Sequence, residues 1–401
     1  MLNFKPVILG TDLNAYGTAR AFYEAYGVRS LCLGIRPLIY TRHSKILDVE
    51  TNPNFEDDAV FLSVLEEVGQ RFQEPLVLIT CGDGYTALLT RHKKELAKRY
   101  RFNYVDPEMQ QRLENKKDFY AVCEKYGLPY PKTYILHYED RDHFETPFAF
   151  PMALKANDSI AFLEAEFPGK KKAYCISSEE ELRETVATIY ASTYHGDLIL
   201  QDFIPGDTSK MYVLNAYVNT SGKVKMMCLG KCLLDECLPE AIGNYTALVS
   251  MGNTEIYRTF QKFLEDIGYR GFANFDLKYD ERDNTFKVFE INIRQGRSSS
   301  YMLSGGCNYT QYLVEDLIEG KDLPVHYHED SALWLYVDPK VLRKYCSPVD
   351  RPLAERMLRE GYFFPTWYEK DRSLARYLLF WRRRIATLRY YPKFCKVPEE
   401  R

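Results

Sequence analysis

Asn274-Phe275-Asp276-Leu277-Lys278 is followed, after the length of one hairpin, by Phe289-Glu290-Ile291-Asn292-Ile293-Arg294. Both stretches read as β-strands. Asp276 alternates with Phe275 and Leu277, and Glu290 and Asn292 stand two residues apart, so that pair projects from one face of its strand. Two carboxylates and an amide oxygen on neighbouring strands are the hard donors that Mg²⁺ takes together with phosphate oxygens. Arg294, two residues on, is placed to neutralise charge on a phosphoryl group. The alternative is a solvated edge hairpin. Against it, Asn is a poor strand former, and here it lies between Ile291 and Ile293.

The chain of 401 residues, 46% hydrophobic and 27% charged, has room for two or three packed domains. A net charge of −3 gives no whole-chain argument for nucleic acid as a partner. The first six residues, Met1-Leu2-Asn3-Phe4-Lys5-Pro6, contain no apolar run, and the ten cysteines have no paired spacing. The expectation is a cytoplasmic protein with reduced thiols. Cys228, Cys232 and Cys237 lack the CxxC spacing and a neighbouring His, so they read as small buried hydrophobes rather than zinc ligands. Nothing approaches the roughly 20 apolar residues of a spanning helix.

The N-terminal part alternates apolar runs (residues 7–10, 30–33 and 76–80) with amphipathic helices (16–26, 58–72 and 85–100). That order predicts a parallel sheet with crossover helices. Ligands in such sheets bind beyond the carboxyl ends of strands, where Gly10-Thr11-Asp12-Leu13-Asn14 and Cys81-Gly82-Asp83-Gly84 fall. Asp12 and Asp83 are therefore candidate substrate contacts, against a reading of both loops as plain turns. Neither GxGxxG nor GxxxxGK[ST] occurs at these loops. A long helix is expected over 107–126. The two prolines of Gly127-Leu128-Pro129-Tyr130-Pro131-Lys132 then mark an extended joint. Strands over 150–155 and 172–176, a helix over 178–193 opened by a capping box, and a strand over 198–203 form a smaller βαβ-like unit. Long strands follow from 211 to 292, interrupted by a helix over 256–267.

Two further features carry chemistry. Lys155 ends the buried run Met152-Ala153-Leu154-Lys155, where it either snorkels to water or meets an anion. Ile199-Leu200-Gln201-Asp202-Phe203-Ile204-Pro205-Gly206-Asp207 runs a strand into a proline-broken segment whose free backbone groups can read an adenine edge, with an acid beyond for a ribose hydroxyl. The bland reading is a strand ending in a Pro-Gly turn.

In this order (lysine on a helix, lysine ending a strand, extended hinge, then Asp…Glu-x-Asn-x-Arg) these features resemble the ATP-grasp superfamily over residues 105–320. The resemblance implies a mixed α/β and α+β protein: a Rossmann-like pre-ATP-grasp domain over 1–105, a two-subdomain ATP-grasp fold over 106–330 with its smaller subdomain over 130–205, and a C-terminal extension over 331–401. It also implies Lys116 and Lys155 on the phosphates of ATP, and Gln201, Asp202, Phe203 and Ile204 around adenine. Asp207 would lie near the ribose, Asp276, Glu290 and Asn292 on Mg²⁺ (or Mn²⁺), and Arg294 on the transferred phosphoryl group.

A closer likeness, to the D-aspartate ligases, runs through Ile8-Leu9-Gly10-Thr11-Asp12, Thr41-Arg42-His43-Ser44-Lys45, Cys81-Gly82-Asp83-Gly84-Tyr85, Val213-Leu214-Asn215-Ala216-Tyr217, Gly243-Asn244-Tyr245 and Arg294-Gln295-Gly296-Arg297-Ser298-Ser299. It departs around Asn157-Asp158-Ser159, in the expected phosphate-covering loop that ends in Gly169-Lys170-Lys171-Lys172. The implied reaction turns an amino acid carboxylate (the β-carboxylate of D-aspartate) into an acyl phosphate that is taken by an amine, the third-position lysine of a UDP-MurNAc-pentapeptide. Such chemistry rests on positioning and charge neutralisation and needs no nucleophilic Ser or Cys. Arg297, with Ser298 beside it, is placed for the substrate carboxylates; Arg42 and Lys45 are further candidates. Two other readings stand beside this one: a ligase for another amino acid or a small dipeptide-like metabolite, and a nucleotide-binding regulatory protein without turnover.

Residues 372–396 hold eight basic residues and no acidic one. Leu374, Leu378, Trp381, Ile385 and Leu388 recur at four- and three-residue steps, giving one apolar helical face that Pro392 is expected to stop. That face is expected either to dock on the body or, with its basic and aromatic flanks, to rest on the anionic inner surface of the membrane.

Overall fold

The computed structural model describes residues 2–171, 173–238 and 241–398. Lys172, the end of the basic string 169–172, lies outside them. The chain forms two compact units. One comprises Met1–Gln110, Asp207–Asp276 and Asn292–Arg401, the other Gln111–Gly206 and Leu277–Ile291.

The first unit opens with strands β1 (Lys5–Leu9), β2 (Ser30–Gly34), β3 (Leu47–Thr51), β4 (Leu76–Thr80) and β5 (Tyr100–Arg101). They pair in parallel in the order β3-β2-β1-β4-β5, with helices Leu13–Tyr26, Asp58–Arg71 and Asp83–Arg91 among the connections. The runs 7–9 in β1, 31–33 in β2 and 76–79 in β4 are apolar because both faces are covered. Val7 and Leu9 enter one core with Leu31, Leu33, Leu76 and Leu78, while Ile8 enters another with Cys32, Val77 and Ile79. Period-two alternation thus divides a single hydrophobic strand between two cores.

In the second unit, β6 (Thr133–Leu136), β7 (Met152–Ala156), β8 (Tyr174–Ile176) and β9 (Leu198–Asp202) form an antiparallel sheet ordered β6-β9-β7-β8. Its core includes Leu154, Leu200, Leu182, Val186 and Ile189, the last three from helix Glu179–Tyr190. Ser178 caps that helix by accepting from the Glu181 amide, as the capping-box pattern requires.

The large sheet contains β10 (Met211–Val218), β11 (Val224–Asp235), β12 (Tyr245–Met251), β13 (Gly271–Asp280), β14 (Thr285–Asn292), β15 (His326–Tyr327), β16 (Leu333–Leu335) and β17 (Tyr362–Phe363). Its order is β14-β13-β10-β11-β12-β16-β17, with β15 beside β11. The chain passes from the first unit to the second at Asp276 and returns at Asn292, so the hairpin that dominates the sequence is where one unit hands over to the other. Gly271, at φ +88°, makes an isolated bridge to Tyr104. A Cβ there would lie 2.2 Å from the Asn103 carbonyl oxygen, so only glycine permits the approach.

Three sequence expectations change in detail. The helix over 107–126 is two helices, Pro107–Glu114 and Lys116–Tyr126, because Asn115 leaves the helical conformation and accepts from the Asp118 amide as an N-cap. The helix over 85–100 is Asp83–Arg91 and Lys93–Leu96, and the chain then enters β5. Helix Leu374–Phe394 runs through Pro392 instead of stopping at it. Pro392 has no N–H for the Leu388 carbonyl, but the next turn still closes, with the Cys395 amide reaching the Tyr391 carbonyl at 2.8 Å.

Candidate active site

Asp276 and Asn292 stand where the chain leaves and re-enters the first unit, and Glu290 lies in the second. Asp276 Oδ1 accepts from Tyr245 at 2.8 Å. Asn292 Nδ2 donates to Asn274 Oδ1 (3.1 Å), Asn274 Nδ2 to Asn215 Oδ1 (3.2 Å), and Asn215 Nδ2 to the Tyr301 hydroxyl (3.3 Å), which closes on the Cys228 carbonyl at 2.6 Å. Each donor is spent on the next member, so the Asn292 amide is turned with its oxygen as the group left for a ligand. Within the first unit, Asp276 and Asn292 offer a carboxylate and an amide oxygen, donor types that suit a hard divalent cation. The supporting residues Asn274, Asn215 and Tyr245 escaped notice as site residues although all three lie inside motif strings. Periodicity marks them only as inward-facing.

Within the second unit, Lys155 Nζ donates to Gln201 Oε1 at 2.9 Å and lies 5.1 Å from the Phe289 ring centroid. Gln201 is buried, and its Nε2 donates to Thr133 at 2.9 Å. Its side chain therefore holds the lysine in place across the sheet. Asp202 forms a two-oxygen pair with Arg282 (3.1 and 2.8 Å). Lys278, itself buried, donates to the carbonyls of Ile204 and Gly206, both at 2.8 Å, and sits 5.2 Å from the Phe203 ring centroid. The proline-broken hinge is thus pinned from beneath by one lysine. Lys116 is the first residue of its helix. The neighbouring Lys117 amide donates to Asn157 Oδ1 at 3.3 Å.

Asp207 belongs to the first unit. It caps the turn Thr208–Lys210, accepting from the Ser209 amide (3.0 Å) and hydroxyl (2.5 Å) with Oδ1 and from Ser347 (2.8 Å) with Oδ2. Burial alone would raise its carboxyl; the hydrogen bonds from Ser209 and Ser347 outweigh that and hold it below the usual value. Both oxygens already serve the protein, so a ribose hydroxyl at Asp207 would have to share one.

The two N-terminal loops converge on the arginines after β14. Gly10, at φ +141°, lets Asp12 begin helix Leu13–Tyr26, where its Oδ1 accepts from the Ala15 amide at 3.0 Å. Burial pushes the Asp12 carboxyl above its ordinary value, against that hydrogen bond and the charges of Arg297 and Arg294. Arg294 is gripped by Asp83 through Nε at 2.6 Å and Nη2 at 2.9 Å, and its Nη1 reaches the Gln295 carbonyl at 3.0 Å. The guanidinium is locked in one orientation. Arg297 has a buried Nη1 with no hydrogen-bond partner among the described residues, and its guanidinium lies 4.9 Å from the Tyr336 ring centroid. Arg383, from the C-terminal helix, lies 4.7 Å from the same centroid and has an unpartnered Nε. The Tyr336 hydroxyl meets that of Tyr40 at 2.7 Å. Two guanidiniums on one phenol ring, each with an unused buried N–H, form a cationic recess, in which Arg383 also stands 3.9 Å from the buried Glu236 carboxylate. Sequence reasoning singled out Arg297 but not Arg383, whose charge was grouped with the tail. Ser298 is buried, whereas Arg42 and Lys45 are exposed, with the Lys45 amide and Ser44 hydroxyl tied to Asp371.

The tail docks, but not through the stripe expected to do so. Leu374, Leu378, Trp381, Ile385 and Leu388 are 38–76% exposed, and the buried positions are Arg376, Thr387 and Tyr391. Arg376 pairs with the buried Asp371 at 3.1 Å and donates to the carbonyls of Tyr40 and Arg42. Arg384 grips Asp338, and Tyr391 donates to the Asp235 carbonyl at 2.5 Å. Hydrogen bonding to buried partners, together with Phe380 packed on Phe364 and Trp367 and Tyr391 in the core, fixes which face turns inward.

No family model matches the chain. A D-aspartate ligase from Enterococcus faecium (strain Aus0004) is 42% identical over 408 residues, spanning 98% of this chain and 96% of that protein. The chain belongs to the D-aspartate ligase family. Solved structures at much lower identity show the fold. Biotin carboxylase from Campylobacter jejuni superimposes with a TM-score of 0.62 at 14% identity, over 82% of this chain and 74% of that one. The L-amino acid ligase from Bacillus licheniformis gives 0.56 at 16%, over 83% and 79%. N5-carboxyaminoimidazole synthetase from Staphylococcus aureus, complexed with ADP, gives 0.60 at 15%, over 90% and 87%. The fold is ATP-grasp, mixed α/β as the strand order implied, and the enzyme is an ATP-dependent carboxylate–amine ligase. Among the described residues no helix is long and apolar enough to cross a membrane.

Proposed function

We propose that this ligase activates the β-carboxylate of D-aspartate as an acyl phosphate and joins it to the side-chain amine of the third-position lysine in a UDP-MurNAc-pentapeptide. The observation that carries this reading is the likeness to a D-aspartate ligase over nearly the whole of both chains. The division into 1–105, 106–330 and 331–401 is kept as the functional partition, with 130–205 covering the nucleotide. Lys116 and Lys155 hold the ATP phosphates, the backbone of 201–204 holds adenine, and Asp207 lies toward the ribose. Asp276, Glu290 and Asn292 would hold Mg²⁺, which would supply charge neutralisation to the phosphates when bound. Arg294, held rigid by Asp83, meets charge that develops on the transferred phosphoryl group. Arg297 and Arg383 take the carboxylate of aspartate that does not react, with Asp12 at the same recess. A dicarboxylic amino acid needs one cationic contact more than a neutral one, and the recess supplies it. Attack of the unprotonated lysine amine on the acyl carbon then forms the amide and expels phosphate.

Release of ADP is the assay. D- and L-amino acids are screened against UDP-linked muropeptide acceptors, and D-aspartate with a lysine-containing acceptor is expected to give the highest rate. A faster rate with a neutral amino acid would assign the family member a different substrate. Glu290→Ala is expected to abolish turnover while melting unchanged without Mg²⁺.

The enzyme also works at the membrane surface under this proposal. The outward face of helix Leu374–Phe394 presents five exposed apolar side chains together with exposed Tyr377 and, on the same basic segment, Arg372, Arg382, Arg389 and Lys393. Apolar and aromatic groups among positive charges suit an anionic bilayer, where each basic residue contributes about 1 kcal/mol. Co-sedimentation with anionic vesicles at low salt is expected for the native chain and reduced in the double variant Leu378→Ser, Trp381→Ser. Equal sedimentation of both proteins would remove the membrane role.

A further inference from the structure

Three residues outside the ligase machinery meet beside the large sheet. A ligand atom from each of Cys307, His326 and His328 lies within 4.8 Å of the others. The chain brings them together from two elements. Cys307 follows the short helix Tyr301–Ser304, with its amide bonded to the Met302 carbonyl at 3.0 Å, and precedes helix Tyr309–Val314. His326 and His328 alternate along β15 and its continuation, so both project from one face. Register opposite β11 holds them there: Met226 pairs with His326, and the His328 amide donates to the Met227 carbonyl at 2.9 Å. Nothing in the linear spacing announced the group, because 18 residues separate the thiol from the first imidazole.

The surroundings prepare the donors. Cys307 and His328 are buried and His326 is exposed. His328 Nε2 lies 2.8 Å from the Asp330 carbonyl oxygen, which can only accept, so this nitrogen carries the proton and Nδ1 keeps the lone pair. A ring N–H donated to a backbone carbonyl is the outer contact that fixes tautomer and orientation in metal-bound histidines. Gly305 makes room for the ring: a Cβ there would fall 2.3 Å from His328 Nε2. Among the described residues, neither the Cys307 thiol nor the His326 ring nitrogens have a hydrogen-bond partner. The donors are therefore not committed to the protein.

We propose that Cys307, His326 and His328 form a Zn²⁺ site, separate from the oxygen ligands assigned to Mg²⁺, with solvent in the fourth position on the exposed side of His326. One sulfur and two imidazoles select a borderline-soft cation, whereas two carboxylates and an amide select a hard one. Zn–S and Zn–N bonds of about 2.3 and 2.0 Å put adjacent donors roughly 3.3–3.7 Å apart, so closure needs movements of order 1 Å. The exposed His326 has the freedom to make them. The ion would clip β15, at the edge of β11, to the turn between the two helices.

The test uses the full chain with excess Mg²⁺ and ATP to occupy the ligase site. Titration with Co²⁺ is expected to produce a near-ultraviolet thiolate-to-metal charge-transfer band, which oxygen ligands cannot give and which Zn²⁺ then displaces. Cys307→Ser removes the band. Because a buried substitution can also disturb folding, His326→Ala serves as the second variant. It is expected to keep the native melting temperature in chelator and to weaken Zn²⁺ by more than about tenfold, the loss caused by an outer-shell partner alone. Zn²⁺ should raise the melting temperature of the native protein and not that of His326→Ala. No charge-transfer band in the native protein, or an unchanged Zn²⁺ affinity in His326→Ala, overturns the site.

Discussion

At the scale of single residues, the site depends on groups whose orientation is set by neighbours. Arg297 and Arg383 each carry a buried N–H with no acceptor among the described residues, and both lie against Tyr336. Loss of one charge-assisted contact costs about 1.5–3 kcal/mol. Arg297→Ala and Arg383→Ala are therefore each expected to raise the KM for the amino acid about ten- to a hundredfold while leaving that for ATP nearly constant. Equal effects on the two KM values would place these arginines on phosphate instead. Asn274 acts one step further back, by turning the Asn292 amide. Asn274→Ala is expected to raise the Mg²⁺ concentration for half-maximal ADP release about 10–100-fold, the usual effect of an outer-shell partner. A lower kcat at unchanged Mg²⁺ dependence would mean that Asn274 serves packing alone.

At the scale of elements, the tip of the β13–β14 hairpin shows how local charge holds the second unit. Asp280 is buried and receives the Arg282 guanidinium at 2.9 and 2.8 Å, while the same arginine grips Asp202 at the end of β9. The hydrogen bond from Arg282 holds the Asp280 carboxyl below its ordinary value, against the opposing effect of burial. A carboxyl whose folded-state pKa is depressed binds fewer protons than in the unfolded chain. Its stabilisation is present above the unfolded value, near 3.9, and is lost as pH falls through the folded one. Arg282 is largely solvent-facing, so the pair is screened. Asp280→Asn is expected to destabilise by about 1–2 kcal/mol at pH 7, the cost of a charge-assisted hydrogen bond after screening. In denaturant titrations the gap from the native protein should narrow below pH 4. A gap constant from pH 7 to pH 3 would exclude the carboxylate charge as its cause.

At the scale of the whole molecule, the C-terminal helix is part of the body of the first unit. Asp371 accepts from Tyr16 and Ser44 (2.9 Å each) and from the Lys45 amide (2.5 Å), and pairs with Arg376. Both side chains of that pair are almost fully buried. Removing one partner of a buried pair leaves an uncompensated charge, at a cost of about 3–5 kcal/mol. Arg376→Ala, and equally a chain ending at Asp371, should show that loss in chemical denaturation. A melting temperature within error of the native protein would mean that the tail is dispensable. The same helix supplies Arg383 to the recess, so one element serves stability on its inner face and presents apolar groups on its outer one.

The sequence by itself determined the alternation of elements in the parallel sheet, and the order of its motifs carried the resemblance to the ATP-grasp class. These are legible because strand period, helix capping and short motif spacing act over a few residues. It did not determine which groups would support them. Asn274, Asn215 and Tyr301 form a chain across sequence gaps of 59 and 86 residues. Arg383 reaches Tyr336 from a helix whose periodicity pointed its apolar stripe inward. Tertiary structure reversed that orientation because Arg376, Arg384 and Tyr391 find buried acceptors in Asp371, Asp338 and the Asp235 carbonyl. Hydrogen-bond satisfaction between distant segments has no signature in local periodicity, and so only the folded chain could place those residues.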